Sequence, residues 1–273
     1  MAVERPEPSI TSSRASSPTG GARDAIGVRG LQLGFGTTTV LDNIDLTIAE
    51  GSAVALIGAN GAGKSTLLRS LIRLVEPRQG KVRIFDREVT ALKGRDLVRL
   101  RAEVGMVFQR HNLVPRLSAL SNVVHGVQSR ARGFRTWSQL FATEAVRSEA
   151  LDCLNAVGLA DKARQRADSL SGGQSQRVAV ARMLMQRPRI VLADEPDASL
   201  DPRSGDEVMR TLHGLAKDKG LTLVFVSHRM EHALRYSDRI VGLAAGGIAL
   251  DSPSKSCEPD ALRAFFGGEE TPA

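Results

Sequence analysis

The sequence holds two cysteines in 273 residues, Cys153 and Cys257, and they do not stand at metal-ligand spacing. A disulfide-built scaffold is excluded, and a reducing compartment is the expectation. Long apolar runs are missing too. No stretch approaches the roughly 18–20 residues of a membrane span. The least polar segment, Ile240 to Leu250, is short and interrupted by three glycines. Glu4, Pro6, Glu7 and Pro8 stand where a signal peptide needs an apolar core, which argues against secretion. Internal repeats and coiled-coil heptads are also absent.

What is there suffices for a core. Hydrophobic residues make up 42% and charged residues 25%, as in ordinary globular proteins. Lys and Arg number 37 against 30 Asp and Glu, giving a net charge of +7. The surplus is spread along the chain rather than clustered. It fits an anionic nucleotide or membrane surface, and no nucleic-acid partner is expected.

Residues 1–26 are rich in Ser, Thr, Pro, Gly and Ala and poor in large apolar side chains. They read as a disordered tail, because so little apolar surface cannot offset the entropy of ordering. Alternation from Val28 to Leu33 and from Val40 to Ile48 reads as half-buried strands. The continuous apolar runs at 52–57, 189–193 and 221–226 read as strands buried on both faces. Thr66 to Leu74 has helical periodicity, with Leu67, Leu68, Leu71, Ile72 and Val75 on one side. Pro77 to Gly80 reads as a turn and Lys81 to Phe85 as a strand. Between 112 and 186 the pattern is mostly helical, with Leu151, Leu154, Val157 and Leu159 at helical spacing. Strands alternating with helices predict an α/β domain with a mostly parallel core sheet. The boundaries expected are 27–254 for that domain, with a helical insertion at about 112–186, and 255–273 for a C-terminal helix and tail.

The run Gly58, Ala59, Asn60, Gly61, Ala62, Gly63, Lys64, Ser65, Thr66 fits G-x-x-x-x-G-K-[ST]. It follows a buried strand and opens a helix, as the pattern requires. Glycines let backbone N–H groups wrap closely around phosphates, and the helix start presents its positive end to the same anion. Lys64, read as an exposed loop lysine that does not hold the core, adds a charge for the terminal phosphates. Ser65 offers a hydroxyl to Mg²⁺.

Four further places carry chemistry around such a loop. Asp194 and Glu195 end an apolar strand, where nucleotides bind in α/β sheets. Asp194 suits Mg²⁺, and Glu195 suits a general base that polarises the attacking water. His228 ends the next apolar strand, within reach of a γ-phosphate. Gln109 ends another, and its amide could ligate Mg²⁺ and touch the water. Ser171, Gly172, Gly173 and Gln174 open a helical run, Ser175 to Met185, as a second backbone nest. Two anion-gripping helix starts in one chain suggest a site assembled from two copies.

Together these residues resemble the ABC-transporter ATPase family from Val28 onward. The phosphate loop corresponds to its Walker A motif. Leu170 to Gln174, followed by Gln176 and Arg177, resembles the family signature. Ile190 to Glu195 resembles Walker B, Ser199 to Asp201 the D-loop, Gln109 the Q-loop and His228 the switch histidine. Phe35 sits where the family stacks an aromatic ring on adenine. The resemblance implies a P-loop NTPase fold, an ABC ATPase with a mostly parallel core sheet, an N-terminal antiparallel β part and an inserted helical subdomain. It implies ATP and Mg²⁺ as ligands and a head-to-tail homodimer with the Walker A loop of one copy facing Ser171 and Gly173 of the other. Asp201 belongs to the same nucleotide-facing set. It further implies transmembrane permease subunits as partners, a periplasmic substrate-binding protein beyond them, and a peripheral place on the cytoplasmic face of the inner membrane.

Several stretches are similar to the phosphonate-import branch: Val89 to Arg95, Gln109 to Ser118, Gly158 to Ala163, Gln165 to Asp168, Asp238 to Leu243 and the Arg-rich run Arg130 to Phe141. Cargo is therefore expected to be a phosphonate or a related phosphorus oxyanion such as phosphite. An amino-acid importer or a lipoprotein-release ATPase would share the core motifs. A soluble ABC ATPase working on nucleic acid or ribosomes would carry two cassettes or a long coiled coil. Asp197 and Ser175 depart from the family pattern, and the order Ser227, His228, Arg229 is similar to general importers rather than to the phosphonate branch.

Overall fold

The computed structural model describes residues 23–109, 111–130 and 142–266. Residues 1–22 of the tail expected at 1–26, most of the Arg-rich run and the last residues from 267 lie outside them.

The N-terminal part opens with β1 (Asp24–Phe35) and β2 (Thr38–Ala49). With β4 (Gln79–Ile84) and β5 (Arg87–Glu88) they form an antiparallel sheet of order β2-β1-β4-β5. The first correction falls here. Residues 24–26, assigned to the tail by composition, are strand. Ala25 and Ile26 are fully buried, and Ile26 pairs with both Ile48 and Ile84.

The second sheet has the order β10-β9-β3-β8-β7-β6. Its members are β3 (Ala53–Ile57), β6 (Val104–Val107), β7 (Ile190–Asp194), β8 (Thr222–Val226), β9 (Arg239–Ala244) and β10 (Gly247–Pro253). Pairing is parallel except between β9 and β10. Every residue of β3, β7 and β8 is buried, so these strands show continuous apolar sequence instead of alternation.

Their two faces serve two cores. Val54, Leu56, Ile190, Leu192, Val224 and Val226 pack toward the antiparallel sheet and α1 (Lys64–Ser70). Ala55, Ile57, Val191, Ala193, Leu223 and Phe225 pack toward the helices. That second core is continuous with α3 (Ala119–Val124), α4 (Glu144–Ala156) and α5 (Gly172–Leu184). The remaining helices are α2 (Gly94–Ala102), α6 (Pro202–Asp218), α7 (Met230–Tyr236) and α8 (Pro259–Arg263). The helical middle thus shares its apolar interior with the sheet that positions the chemistry.

Helix boundaries differ from the periodic reading where backbone conformation intervenes. α1 stops at Ser70, and Arg73 takes φ 53°, so Leu71 and Ile72 are buried from a turn. α5 starts at Gly172, before Ser175, because Ser171 caps it. Leu151 points outward at 40% exposure, while Leu154, Val157 and Leu159 are buried.

Candidate functional site

The loop after β3 is shaped by glycines that no other residue could replace cheaply. Gly58 has φ 149°, and a Cβ there would lie 2.5 Å from the carbonyl oxygen of Leu243. Ala59, Asn60 and Gly61 form the exposed rim. Lys64 corrects the sequence reading: it is 4% exposed and braces the loop. Its Nζ donates to the carbonyls of Gly58 (2.7 Å) and Ala59 (3.0 Å). Burial pushes its pKa down, and the charges of Glu195 and Asp194 oppose that shift. α1 is only seven residues long, so for an anion at this loop the backbone amides and the Lys64 ammonium are the main source of attraction that the geometry offers.

Asp194 ends β7 almost fully buried. Its Oδ1 accepts from the Ser65 hydroxyl at 2.6 Å, and its Oδ2 accepts from Arg69 Nε at 3.0 Å. The parallel pairing of β7 with β8, and of β8 with β3, brings this strand end beside the loop. Arg69 was not singled out from the sequence. The available signal was its position one helical turn after Ser65, on the same face of α1.

Glu195 is held at φ 51°, a strained conformation for a residue with a side chain. Its Oε1 lies 2.6 Å from Nε2 of His228, which follows β8. A cleft of about 980 Å³ opens between them and the loop, lined by Gly58, Asn60, Glu195, Asp197, Leu200 and His228 among others. Oxygen donors converge here without a metal cage: among the described residues no group of three His, Cys, Asp or Glu side chains is arranged to hold a metal ion. One carboxylate and one hydroxyl suit Mg²⁺, which keeps waters and phosphates in its shell.

The other candidates lie elsewhere on the chain. Gln109 is exposed just past β6, the strand beside β7. Phe35 is 58% exposed at the end of β1. Ser171 and Gln174 form a capping box: Ser171 Oγ accepts from the Gln174 amide at 3.2 Å, and Gln174 Oε1 accepts from the Ser171 amide at 3.0 Å. Gly172 and Gly173 rest against Leu200 and Ser204, so closely that a Cβ on Gly173 would lie 3.0 Å from the Ser204 side chain. Asp201 caps α6, accepting from the Ser204 amide at 3.0 Å. That hydrogen bonding holds its carboxyl below the usual range. The Ser171 nest therefore faces outward, packed on the Leu200–Ser204 turn, and does not line the cleft of its own chain. Ser175, a departure from the family pattern, is buried beneath this helix start. Among the described residues no helix is long and apolar enough to cross a membrane.

The family model described as "ABC transporter" matches residues 41–198. The phosphonates import ATP-binding protein PhnC of Nitratidesulfovibrio vulgaris is 43% identical over 231 residues, covering 85% of this chain and 87% of that protein. The protein of the same name from Frankia casuarinae is 47% identical over 227 residues, covering 83% and 89%. Among solved structures, a dimeric ATP-binding cassette in a post-hydrolysis state, bound to ADP and Pi, superposes with a TM-score of 0.74. It is 33% identical, and the match covers 85% of this chain and all of that one.

Proposed function

This chain belongs to the ABC transporter family as an ATP-hydrolysing cassette, and we propose on that premise that it powers import of phosphonates or related phosphorus oxyanions such as phosphite. The observation that carries the ATPase reading is that the loop braced by Lys64 and the Glu195–His228 pair border one cleft, with the hydrogen-bonded Ser65 and Asp194 next to them in the chain. The cargo reading rests on the relatives and on sequence similarity that extends beyond the ATP-binding motifs.

In this reading the loop amides of Gly58 to Ser65 bind the phosphates, and Lys64 exchanges its carbonyl partners for phosphate oxygens. Ser65 and Asp194 would hold Mg²⁺, which supplies charge neutralisation on the phosphates. Glu195 orients the attacking water and accepts its proton. His228 fixes the Glu195 carboxylate and contacts the γ-phosphate. Gln109 senses the nucleotide from the edge of the site. Phe35 stacks on the adenine from the exposed end of β1.

The outward-facing Ser171, Gly173 and Asp201 complete the site of a second copy, giving a symmetric dimer with two nucleotides between its halves. The dimeric state of the superposing cassette supports this arrangement. The dimer would sit on the cytoplasmic face of the inner membrane, bound to permease subunits served by a periplasmic substrate-binding protein.

Reconstitution with a permease and binding protein tests the cargo. ATP-dependent uptake of a phosphonate or phosphite is the expected result. Uptake of an amino acid but no phosphorus compound would remove the cargo assignment and leave the ATPase intact.

A further inference from the structure

Two ionisable side chains are buried together in the wall of the cleft. Asp197 is 5% exposed and His232 2%. Asp197 Oδ2 lies 2.7 Å from His232 Nδ1. The contact is close but off the line of a hydrogen bond, which leaves Nδ1 without an aligned partner. The other groups facing the imidazole come from α6 and α7. Asp206 Oδ1 is 4.0 Å from Nε2, and the Tyr236 ring packs edge-on at 5.6 Å. Tyr236 in turn donates to Asp206 at 2.7 Å, and Arg235 lies 3.3 Å from the same oxygen.

The positions repeat those of the cleft. Glu195 meets His228 at 2.6 Å, and Asp197 meets His232 at 2.7 Å. Asp197 lies two residues past Glu195 in the segment after β7, and His232 lies four residues past His228, inside α7. One rung opens into the cleft, and the other is buried in its wall, with only Asp197 reaching the lining. A buried carboxylate–imidazole pair is poor value as a stabilising device, since an apolar pair of similar volume serves the fold as well or better. Placement is what such a pair can supply. Glu195 needs it, because its φ of 51° persists only where the surroundings over-determine it. Asp197 also starts the turn that carries Leu200, whose amide donates to the Asp197 carbonyl at 3.1 Å. Gly172 rests on Leu200 in its turn.

We propose that Asp197 and His232 form a buried clamp that positions Glu195 and His228 for hydrolysis and ties them to the Leu200–Asp201 turn beneath the Ser171 helix. Both are positioning residues that act through Glu195 and His228. The proposal rests on the ATPase reading above.

The test uses the full chain with Asp197→Asn, and with Asp197→Val combined with His232→Leu to keep the interior filled. Thermal melting, affinity for a fluorescent ATP analogue, and kcat and KM for ATP are measured on each. The expected result is melting within a few degrees of wild type, analogue affinity within about threefold, nearly unchanged KM, and kcat lowered about tenfold or more. Wild-type kcat in both variants overturns the clamp. So does a kcat loss that merely follows weakened nucleotide binding, or melting far below wild type, which would make the pair a support of the fold. A wild-type protein without ATPase activity would instead remove the proposed function.

Discussion

Gln176 Nε2 donates to the carbonyl of Phe108 at 3.2 Å, joining the helix that begins with the outward-facing nest to the residue just before Gln109. Gln176 is fully buried, and its Oε1 contacts His111 in the same segment. The two ends of this link sit on elements with different tasks. α5 would face the second copy, and the segment after β6 leads into the helical part expected to meet the permease. Coupling between sites needs such a physical element whose state both ends bias.

Gln109→Ala should leave ATP binding near normal, reduce hydrolysis in the assembled transporter and reduce uptake more strongly. It removes the amide proposed to read the nucleotide but none of the groups proposed to grip phosphate. Vesicle measurements of uptake per ATP decide the matter, and an unchanged ratio would end the coupling role. Gln176→Leu should cost about 0.5–1.5 kcal/mol of stability, because it removes the hydrogen bond to the part-buried Phe108 carbonyl. Denaturant unfolding reads that value.

Lys64→Ala should lower ATP affinity and turnover on the order of 10- to 100-fold, the loss of charge-assisted hydrogen bonds worth about 1.5–3 kcal/mol. Because Lys64 braces Gly58 and Ala59, the loop itself should also loosen. Nucleotide titration alongside amide hydrogen exchange of residues 58–64 checks both effects. Wild-type turnover would remove the phosphate-loop reading.

Glu195→Gln should retain ATP affinity and slow hydrolysis by about 100- to 10,000-fold, since an amide cannot accept the water's proton. The same variant should accumulate as an ATP-bound dimer in gel filtration. A monomer at saturating Mg-ATP counts against the two-copy site.

Arg69→Ala removes the cation on Asp194 Oδ2 while leaving the Ser65 contact in place. The freed carboxylate should hold Mg²⁺ more tightly. A lower Mg²⁺ requirement for ATP hydrolysis is the expected readout. An unchanged or raised requirement would show that Arg69 does not compete with the metal at Asp194.

Asp206 accepts from Tyr236 and Arg210, and these hydrogen bonds pull its pKa from 3.8 down to about 2. A depressed carboxylate pKa contributes stability above the unfolded value, and that contribution is lost as pH falls through the folded value. Asp206→Asn should therefore be less stable than wild type at pH 6. The gap should close as pH falls from about 4 toward 2. Paired melting curves across that range check the sign, and a gap that widens in acid would contradict it.

Much of the site was legible because its chemistry depends on local order in the chain. A glycine-rich loop between strand and helix requires only neighbouring residues, so Gly58 to Thr66 announces itself. The same is true of Ser171 to Gln174, whose capping box closes within four positions, and of Asp201 at the start of α6. The buried strands were readable because sheets covered on both faces demand unbroken apolar runs.

Sequence by itself determined the phosphate loop, the acidic strand end, the helix caps and the alternation that makes an α/β sheet, since each is specified by residues within a turn or a strand of one another. Tertiary structure alone decided which distant groups meet. Parallel pairing of β3, β8 and β7 sets Ser65 against Asp194 across 129 positions and His228 against Glu195 across 33. It also buried Lys64, drew Arg69 onto Asp194, turned Ser171 away from its own cleft and sealed Asp197 against His232. Periodicity carries no information about such contacts, because they are fixed by how the sheet orders its strands and by which helix the last turn of packing brings to their ends.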